Sequence, residues 1–267
     1  MTARVVLVGG GNMGAALLGG MIAGGWAPPE QLAVVEVLAP RRAVLEGLFP
    51  GVAVRALVED APADGAVIAV KPNDVAAAVT AAVVAGARRV LSIAAGVSIA
   101  TLEAAASAAT AEPVAVVRAM PNTPALVGEG AAAIAGGSSA AEDDLAWAES
   151  ILGAVGSVVR VPEYQLDAVT GLAGSGPAYL FLVAESLIDA GVLAGLARPI
   201  AEALVTQLFV GSAALLADRG DPAALRAMVT SPGGTTAAGL RQLEAGGVRA
   251  AFLEAVMAAA QRSRDLG

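Results

Sequence analysis

Gly9, Gly11 and Gly14 stand at the spacing Gly-x-Gly-x-x-Gly, directly after the apolar run Val5-Val6-Leu7-Val8 and ahead of an Ala/Leu/Met/Ile stretch from Ala15 to Ala23. At a strand-to-helix turn this spacing lets the backbone turn tightly, admits a pyrophosphate beside the main chain and lets helix pack on strand. The helix N-terminus adds free N–H groups and the positive end of its dipole. In a chain with 32 glycines the pattern alone also fits plain turn glycines. Its context favours a dinucleotide: strand before, helix after, and Glu36 at the end of the second apolar run, 22 residues past Gly14. A carboxylate there accepts hydrogen bonds from both adenosine ribose hydroxyls and repels a 2′-phosphate, which favours NAD. Arg41-Arg42, just beyond, can reach such a phosphate or form a solvated first helical turn, so NAD and NADP both stay open.

Other residues have chemistry available to them, each with a plainer reading beside it. Lys71 is the sole lysine and sits in Val70-Lys71-Pro72 at the carboxyl end of a strand, the edge that faces the ligand crevice in a doubly wound sheet. A surface loop lysine fits equally well, and the following Pro72 excludes a P-loop. Ser231-Pro232-Gly233-Gly234-Thr235-Thr236 precedes a helix, and its hydroxyls, glycines and helix N-terminus suit a small anion such as a carboxylate. A C-cap glycine followed by a threonine N-cap is the commoner use of such residues. Gly174-Ser175-Gly176-Pro177 reads as a helix entry, and Glu163, Asp167 and Glu185 are acids or helix-face charges.

Composition narrows the chemistry. The chain of 267 residues has no Cys and no His. Disulfides, thiolate or imidazole metal sites, cysteine nucleophiles and Ser-His triads are excluded, and no metal site is expected. Sixteen basic against 24 acidic residues give a net charge of −8, which argues against nucleic acid and anionic membrane surfaces as partners. Mean hydropathy is +0.71 with only 15% charged residues, which implies burial at a subunit interface as well as inside. The uncharged stretch Val5 to Pro29 contains eight glycines, Asn12 and Pro28-Pro29, so it reads as neither a spanning helix nor a signal peptide. A cytoplasmic protein is the expectation.

The elements that must position these residues follow a regular rhythm. Apolar runs at Val5–Val8, Leu32–Val37, Ala66–Val70, Val90–Ile93 and Val114–Ala119 alternate with helical stretches at 15–23, Arg41–Leu48, Val75–Val84 and Ile99–Ala108. Ser139-Ala-Ala-Glu142 fits a capping box for a helix over Ala140–Leu152. Alternating strands and helices predict an α/β fold, a Rossmann-like doubly wound parallel sheet over residues 1–161. After Val158–Pro162 no further strand is evident. Tyr164–Leu172, Ala178–Ala190, Pro199–Ala217, Pro222–Val229, Thr235–Leu243 and Val248–Arg264 read as helices of an all-α domain over 162–267. Those around Leu180–Ile188 and Leu204–Leu216 are apolar on nearly every face. About 105 residues cannot bury them alone, so this domain is expected to complete its core in a homodimer or larger homo-oligomer.

With these stretches in view, the chain resembles pyrroline-5-carboxylate reductase from end to end. The resemblance is carried by Val8-Gly-Gly-Gly-Asn-Met-Gly14, Ala69-Val-Lys-Pro72, Ser92-Ile-Ala-Ala-Gly-Val-Ser98 and Met120-Pro-Asn-Thr-Pro124. Asp167-Ala-Val-Thr-Gly-Leu-Ala-Gly-Ser-Gly-Pro-Ala-Tyr179 and Thr230-Ser-Pro-Gly-Gly-Thr-Thr236 add the most specific matches. The resemblance implies that Gly9, Gly10, Gly11, Asn12, Met13 and Gly14, with Ala69, Val70, Lys71, Pro72, Ile93, Ala94 and Ala95, line a reduced NADP or NAD cofactor. It also implies that Ser231, Gly233, Gly234, Thr235 and Thr236 bind the substrate, with Thr235-Thr236 on its carboxylate. Thr236 and Glu163 take the catalytic positions, Glu163 as an acid near the substrate ring nitrogen. Two departures bear on the cofactor. Glu36 stands where NADPH-using members often carry a small hydroxyl residue, and Arg55-Ala56-Leu57 lacks an asparagine often found near the ribose.

The implied reaction, the last step of proline biosynthesis, transfers a hydride from nicotinamide C4 to C5 of a cyclic imine, giving L-proline. A protonated imine is already electrophilic, so a site without histidine suffices, acting through orientation and desolvation. Two other readings compete. A Rossmann-type 3-hydroxy acid dehydrogenase needs a lysine or similar group for the hydroxyl proton, and the helical half has none. A non-catalytic NAD(P)-sensing protein has no use for the anion cradle at 231–236. Cofactor oxidation with and without the imine separates all three.

Overall fold

The computed structural model describes residues 3–266. Eight strands form one sheet: β1 (Ala3–Val8), β2 (Leu32–Val35), β3 (Ala53–Arg55), β4 (Ala63–Ile68), β5 (Arg89–Ser92), β6 (Ala115–Met120), β7 (Gly130–Gly136) and β8 (Gly156–Arg160). Their order is β3-β2-β1-β4-β5-β6-β7-β8. The helices α1 (Asn12–Ala23), α2 (Ala39–Leu48), α3 (Val75–Val84), α4 (Ile99–Ser107) and α5 (Glu142–Leu152) connect the strands. Alternate residues of one strand feed opposite cores. Val6 and Val8 pack with Val75, Val79 and Leu102 of α3 and α4. Val5 and Leu7 pack with Leu17, Leu18 and Met21 of α1, Leu45 of α2 and Trp147 of α5. Burial on both faces is why these strands read as unbroken apolar runs.

The sheet departs from the sequence expectation in particular places. β2 ends at Val35, so Glu36 lies just past the strand. Two strands carry no sequence signal. β3 has only three residues, and β7 is Gly-Ala-Ala-Ala-Ile-Ala-Gly, a composition poor in β-branched side chains. β7 also runs antiparallel to β6, joined to it without an intervening α-helix, while every other pair is parallel. α5 begins at Glu142, and the box expected from Ser139 and Glu142 is replaced by Asp144, whose carboxylate accepts the Ala141 N–H at 2.9 Å. Asp144 sits in the first turn and also pairs with Arg89 at 3.0 Å, which holds it there.

Contacts divide the chain into two compact units. One holds the sheet, runs through Ser175 and resumes at Met257; the other spans Gly176–Val256. The expected helix over Tyr164–Leu172 is a composite: a 3-10 turn (Glu163–Gln165), α6 (Leu166–Val169) and a π-helical turn (Thr170–Gly174). The Ser175 N–H donates to the Thr170 carbonyl at 2.8 Å, one residue longer than an α-helical bond. The second unit contains α7 (Gly176–Leu193), α8 (Arg198–Arg219), α9 (Pro222–Met228), α10 (Thr235–Ala245) and the first turns of α11 (Val248–Arg264). Asp221 caps α9 by accepting from the Ala223 and Ala224 N–H groups.

The stretches Glu163–Leu193 and Arg198–Arg219 are long and apolar enough, by length and composition, to cross a bilayer. No residue of α7 is buried in the single chain, and only Ala201 and Val205 of α8 are. Phe181 is 66% exposed and Leu204 57%. A unit of this size has too little mass to cover two such helices.

Candidate functional site

The carboxyl ends of β2, β1, β4 and β5 are neighbours, so the loops that follow them share one edge of the sheet. Main-chain bonds carry the ladder into those loops. Gly9 N–H donates to the Val35 carbonyl (2.9 Å), Ala69 N–H to Val8 (2.8 Å) and Ile93 N–H to Ile68 (3.1 Å). Gly9–Gly14, Glu36, Ala69–Pro72 and Ile93–Ala95 are thereby gathered at one place, where the strand order reverses between β1 and β4. In an open α/β sheet that is where a ligand crevice forms.

The three motif glycines do different jobs. Gly9 has φ +110°, and a Cβ there would lie 2.5 Å from the Ala69 carbonyl oxygen. A Cβ on Gly14 would collide with the Gly9 carbonyl. These two allow the turn itself. A Cβ on Gly11 would meet nothing within 4 Å among the described residues, so the protein's own atoms place no steric demand on that position. Gly11 is also the N-cap of α1, has no side-chain cap, and its carbonyl receives the first helical bond from Ala15 N–H. The amides of Asn12, Met13 and Gly14 precede that bond. An uncapped helix start beside a glycine turn presents free N–H groups of the kind that a pyrophosphate accepts from.

Glu36 is 9% exposed, and both its oxygens are occupied. Oε2 accepts the Gly10 N–H at 3.1 Å and Oε1 the Leu38 N–H at 2.9 Å. The neighbouring arginines are turned onto main-chain carbonyls. Arg41 Nε donates to Gly10 (2.7 Å) and Nη2 to Gly11 (3.4 Å); Arg42 Nη1 donates to Glu36 (2.9 Å) and Val37 (2.8 Å). The carboxylate is thus fixed against the glycine turn, Arg41 ties that turn to the loop after β2, and Arg42 braces the latter loop from within. Lys71 is exposed and has no ion pair among the described residues.

In the second unit, Ser231–Gly234 turns into α10. Gly234, and neither threonine, is the N-cap, and no side chain caps this helix. The first helical bond is Ala238 N–H to the Gly234 carbonyl at 3.1 Å. Thr235 and Thr236 therefore occupy the first turn with hydroxyls not used for capping, beside amides that precede the first helical bond. A cap by Thr235, the commoner use of such residues, does not form.

Glu163, expected near the substrate nitrogen, belongs to the first unit. Its Oε1 accepts the Ile99 N–H at 2.7 Å and pairs with Arg118 Nη1 at 3.0 Å. Arg118 is not among the site residues expected from the sequence. The signal was present, a lone charge inside the otherwise apolar strand Ala-Val-Val-Arg-Ala-Met. Asn122 stands inside the motif Met120-Pro-Asn-Thr-Pro124. It is 9% exposed, accepts from Ala131 N–H (2.8 Å) and donates to the Ala173 carbonyl (3.1 Å), tying the π-turn to the end of β6.

A glycine turn open at the sheet's switch point, with a fixed carboxylate at the end of β2, defines a dinucleotide-binding protein of the Rossmann class. Residues 163–266 match the family model for pyrroline-5-carboxylate reductase dimerisation, and residues 4–96 match that for NADP oxidoreductase, coenzyme F420-dependent. The pyrroline-5-carboxylate reductase of Synechocystis sp. is 43% identical, over 100% of this chain and 99% of its own. A pyrroline-5-carboxylate reductase structure from Coxiella burnetii superposes with a TM-score of 0.91 at 33% identity, covering 100% of this chain and 99% of that one. The Plasmodium falciparum pyrroline carboxylate reductase structure, with NADP bound, has a TM-score of 0.84 at 30% identity and covers 99% and 98%. The chain belongs to the pyrroline-5-carboxylate reductase family.

Proposed function

We propose that the protein reduces 1-pyrroline-5-carboxylate to L-proline with NADH or NADPH, binding the cofactor on residues 1–161 and the substrate on 162–267. The reading rests chiefly on the start of α10, where Thr235 and Thr236 leave their hydroxyls uncommitted to capping. Thr236, with Ser231, Gly233, Gly234 and Thr235, holds the substrate carboxylate through hydroxyl and amide donors. The loops Gly9–Gly14, Ala69–Pro72 and Ile93–Ala95, with Glu36, hold the dinucleotide. Bound there, the reduced dinucleotide supplies a hydride. The protonated imine accepts it at C5, and the C=N electron pair stays on nitrogen as the lone pair of the amine. The chain's residues contribute orientation and exclusion of water rather than a strong acid. Loss of NADH and NADPH absorbance, measured side by side with and without the imine, tests the reading. Absence of imine-dependent oxidation with both cofactors refutes it.

Glu36 bears on which cofactor is favoured. A fixed carboxylate at the end of β2 disfavours a 2′-phosphate, and both arginines beside it are occupied by carbonyls. NADH is therefore the expected preference. Glu36→Ser should raise the ratio of kcat/KM for NADPH over NADH by about tenfold, equivalent to ~1.4 kcal/mol. Because the serine also abandons the Gly10 and Leu38 amides, both cofactors should bind less well in absolute terms. An unchanged ratio places Glu36 away from the ribose.

The bare faces of α7 and α8 are covered by a second copy of this chain in a homodimer. The match of 163–266 to a dimerisation family supports this, as does the charge carried by Glu185, Asp189, Arg198 and Glu202 on the same two helices. Buried in lipid, such charges are costly. Sedimentation should give a dimer or a larger assembly, and Leu204→Glu should shift it towards monomer with loss of activity. An active wild-type monomer at assay concentration contradicts the proposal.

A further inference from the structure

Arg118 is 8% exposed, and its one carboxylate partner among the described residues is Glu163. Losing that partner leaves a buried cation uncompensated, which is a costly state. The same carboxylate oxygen receives the N–H of Ile99, the first residue of α4, while Ser98 Oγ receives that of Thr101 at 3.2 Å. Two of the helix's orphan donors are thus satisfied, and a negative charge sits at the positive end of its dipole. Ile99 follows directly on the loop Ile93–Ser98. Arg118 stands opposite Ser92, the last residue of β5 before that loop. Glu163 therefore fastens the loop's exit through the Ile99 amide, and ties that exit to Arg118 on the strand paired with β5.

Two further contacts converge on the same place. Asp167 accepts from Ser263 Oγ at 2.7 Å, and Gly96 packs beneath Leu266. Gly96, Ser98, Arg118, Glu163, Asp167 and Ser263 line one cavity of about 290 Å³. The loop is held from several sides, and Glu163 is the residue through which its helix and the buried arginine are joined.

We infer that Glu163 is a positioning residue, which holds the 93–98 loop in place for the cofactor by accepting from Ile99 and Arg118, and is not a proton carrier or charge partner for the substrate. The inference rests on the proposal that Ile93–Ala95 lines the cofactor. It separates an acceptor's role from an acid's. Glu163→Gln keeps a side-chain oxygen for both donors, whereas Glu163→Ala removes it.

The test is cofactor affinity by calorimetry, which needs no turnover, together with steady-state kinetics over a range of pH. Glu163→Ala should weaken NADH or NADPH binding by about tenfold or more. The cofactor KM should rise in parallel, with much smaller change in kcat and an unshifted kcat–pH profile. Glu163→Gln, which keeps the acceptor oxygen but not the counter-charge of Arg118, should recover part of the affinity. Equal loss of kcat in both variants, with a changed acid limb of the profile, overturns the inference in favour of a charge or proton role. Unaltered cofactor affinity in a folded Glu163→Ala overturns it as well. Should Glu163→Ala fail to fold, Glu163→Gln decides: weakened cofactor affinity with an unshifted profile supports the inference, and a displaced profile refutes it. Cofactor affinities that follow this pattern in a protein inactive on the imine sustain the inference and remove the substrate assignment instead.

Discussion

A Gly11→Val variant should fold as the parent does and lose its cofactor. The protein's own atoms offer no obstacle, since a Cβ at Gly11 meets no atom of the described residues within 4 Å and its φ of −64° suits any residue. The obstacle arises when a pyrophosphate must approach the backbone at this turn. A branched side chain then takes the ligand's place, and the loss should reach at least ~100-fold in Kd, or about 2.8 kcal/mol. Calorimetry with NADH and NADPH on a variant of parental melting temperature checks this. Gly9→Ala is the control with the opposite signature. Its φ of +110° and the adjacent Ala69 carbonyl make it a defect of the turn, felt in stability before any ligand is added. If Gly11→Val binds cofactor like the parent, the dinucleotide does not lie on this turn.

Thr236→Ala should cut kcat/KM for the imine by about ten- to 150-fold. The estimate is the ~1.5–3 kcal/mol of one hydrogen bond to a charged group, here the substrate carboxylate. Cofactor affinity should hold, because the threonine is assigned to substrate. The structure sharpens the control. Gly234 is the cap of α10, so removing the Thr236 hydroxyl should not incur the ~1 kcal/mol of a lost N-cap. Parental stability with reduced catalytic efficiency is the expected result, and intact kcat/KM overturns the assignment.

The features legible in the sequence were those with a local physical cause. Strands buried on both faces show as continuous apolar runs, and the glycine turn shows because steric demand at Gly9 and Gly14 leaves no other residue. Asp221 and Pro222 announced the start of α9 for the same reason. What stayed hidden depends on partners distant in sequence. β7 is a strand because β6 and β8 flank it, not because alanines favour strands. The tasks of Arg118 and Glu163 exist only once β6, the start of α4 and the turn at 163–165 meet. Ser139 and Glu142 had the right spacing for a box and lost it to Asp144, whose pairing with Arg89 of β5 no local pattern contains.

One compact unit lies, in sequence, inside the other. The sheet-bearing unit breaks off at Ser175 and takes up the chain again at Met257, with Ser263 bonded to Asp167 and Leu266 against Gly96. During synthesis the ribosome delivers all eight strands first, then the whole helical insertion, and only then the segment that completes the first unit. The sheet-bearing unit is therefore among the earliest parts made and among the last to be finished. No single cut in the chain can release it whole.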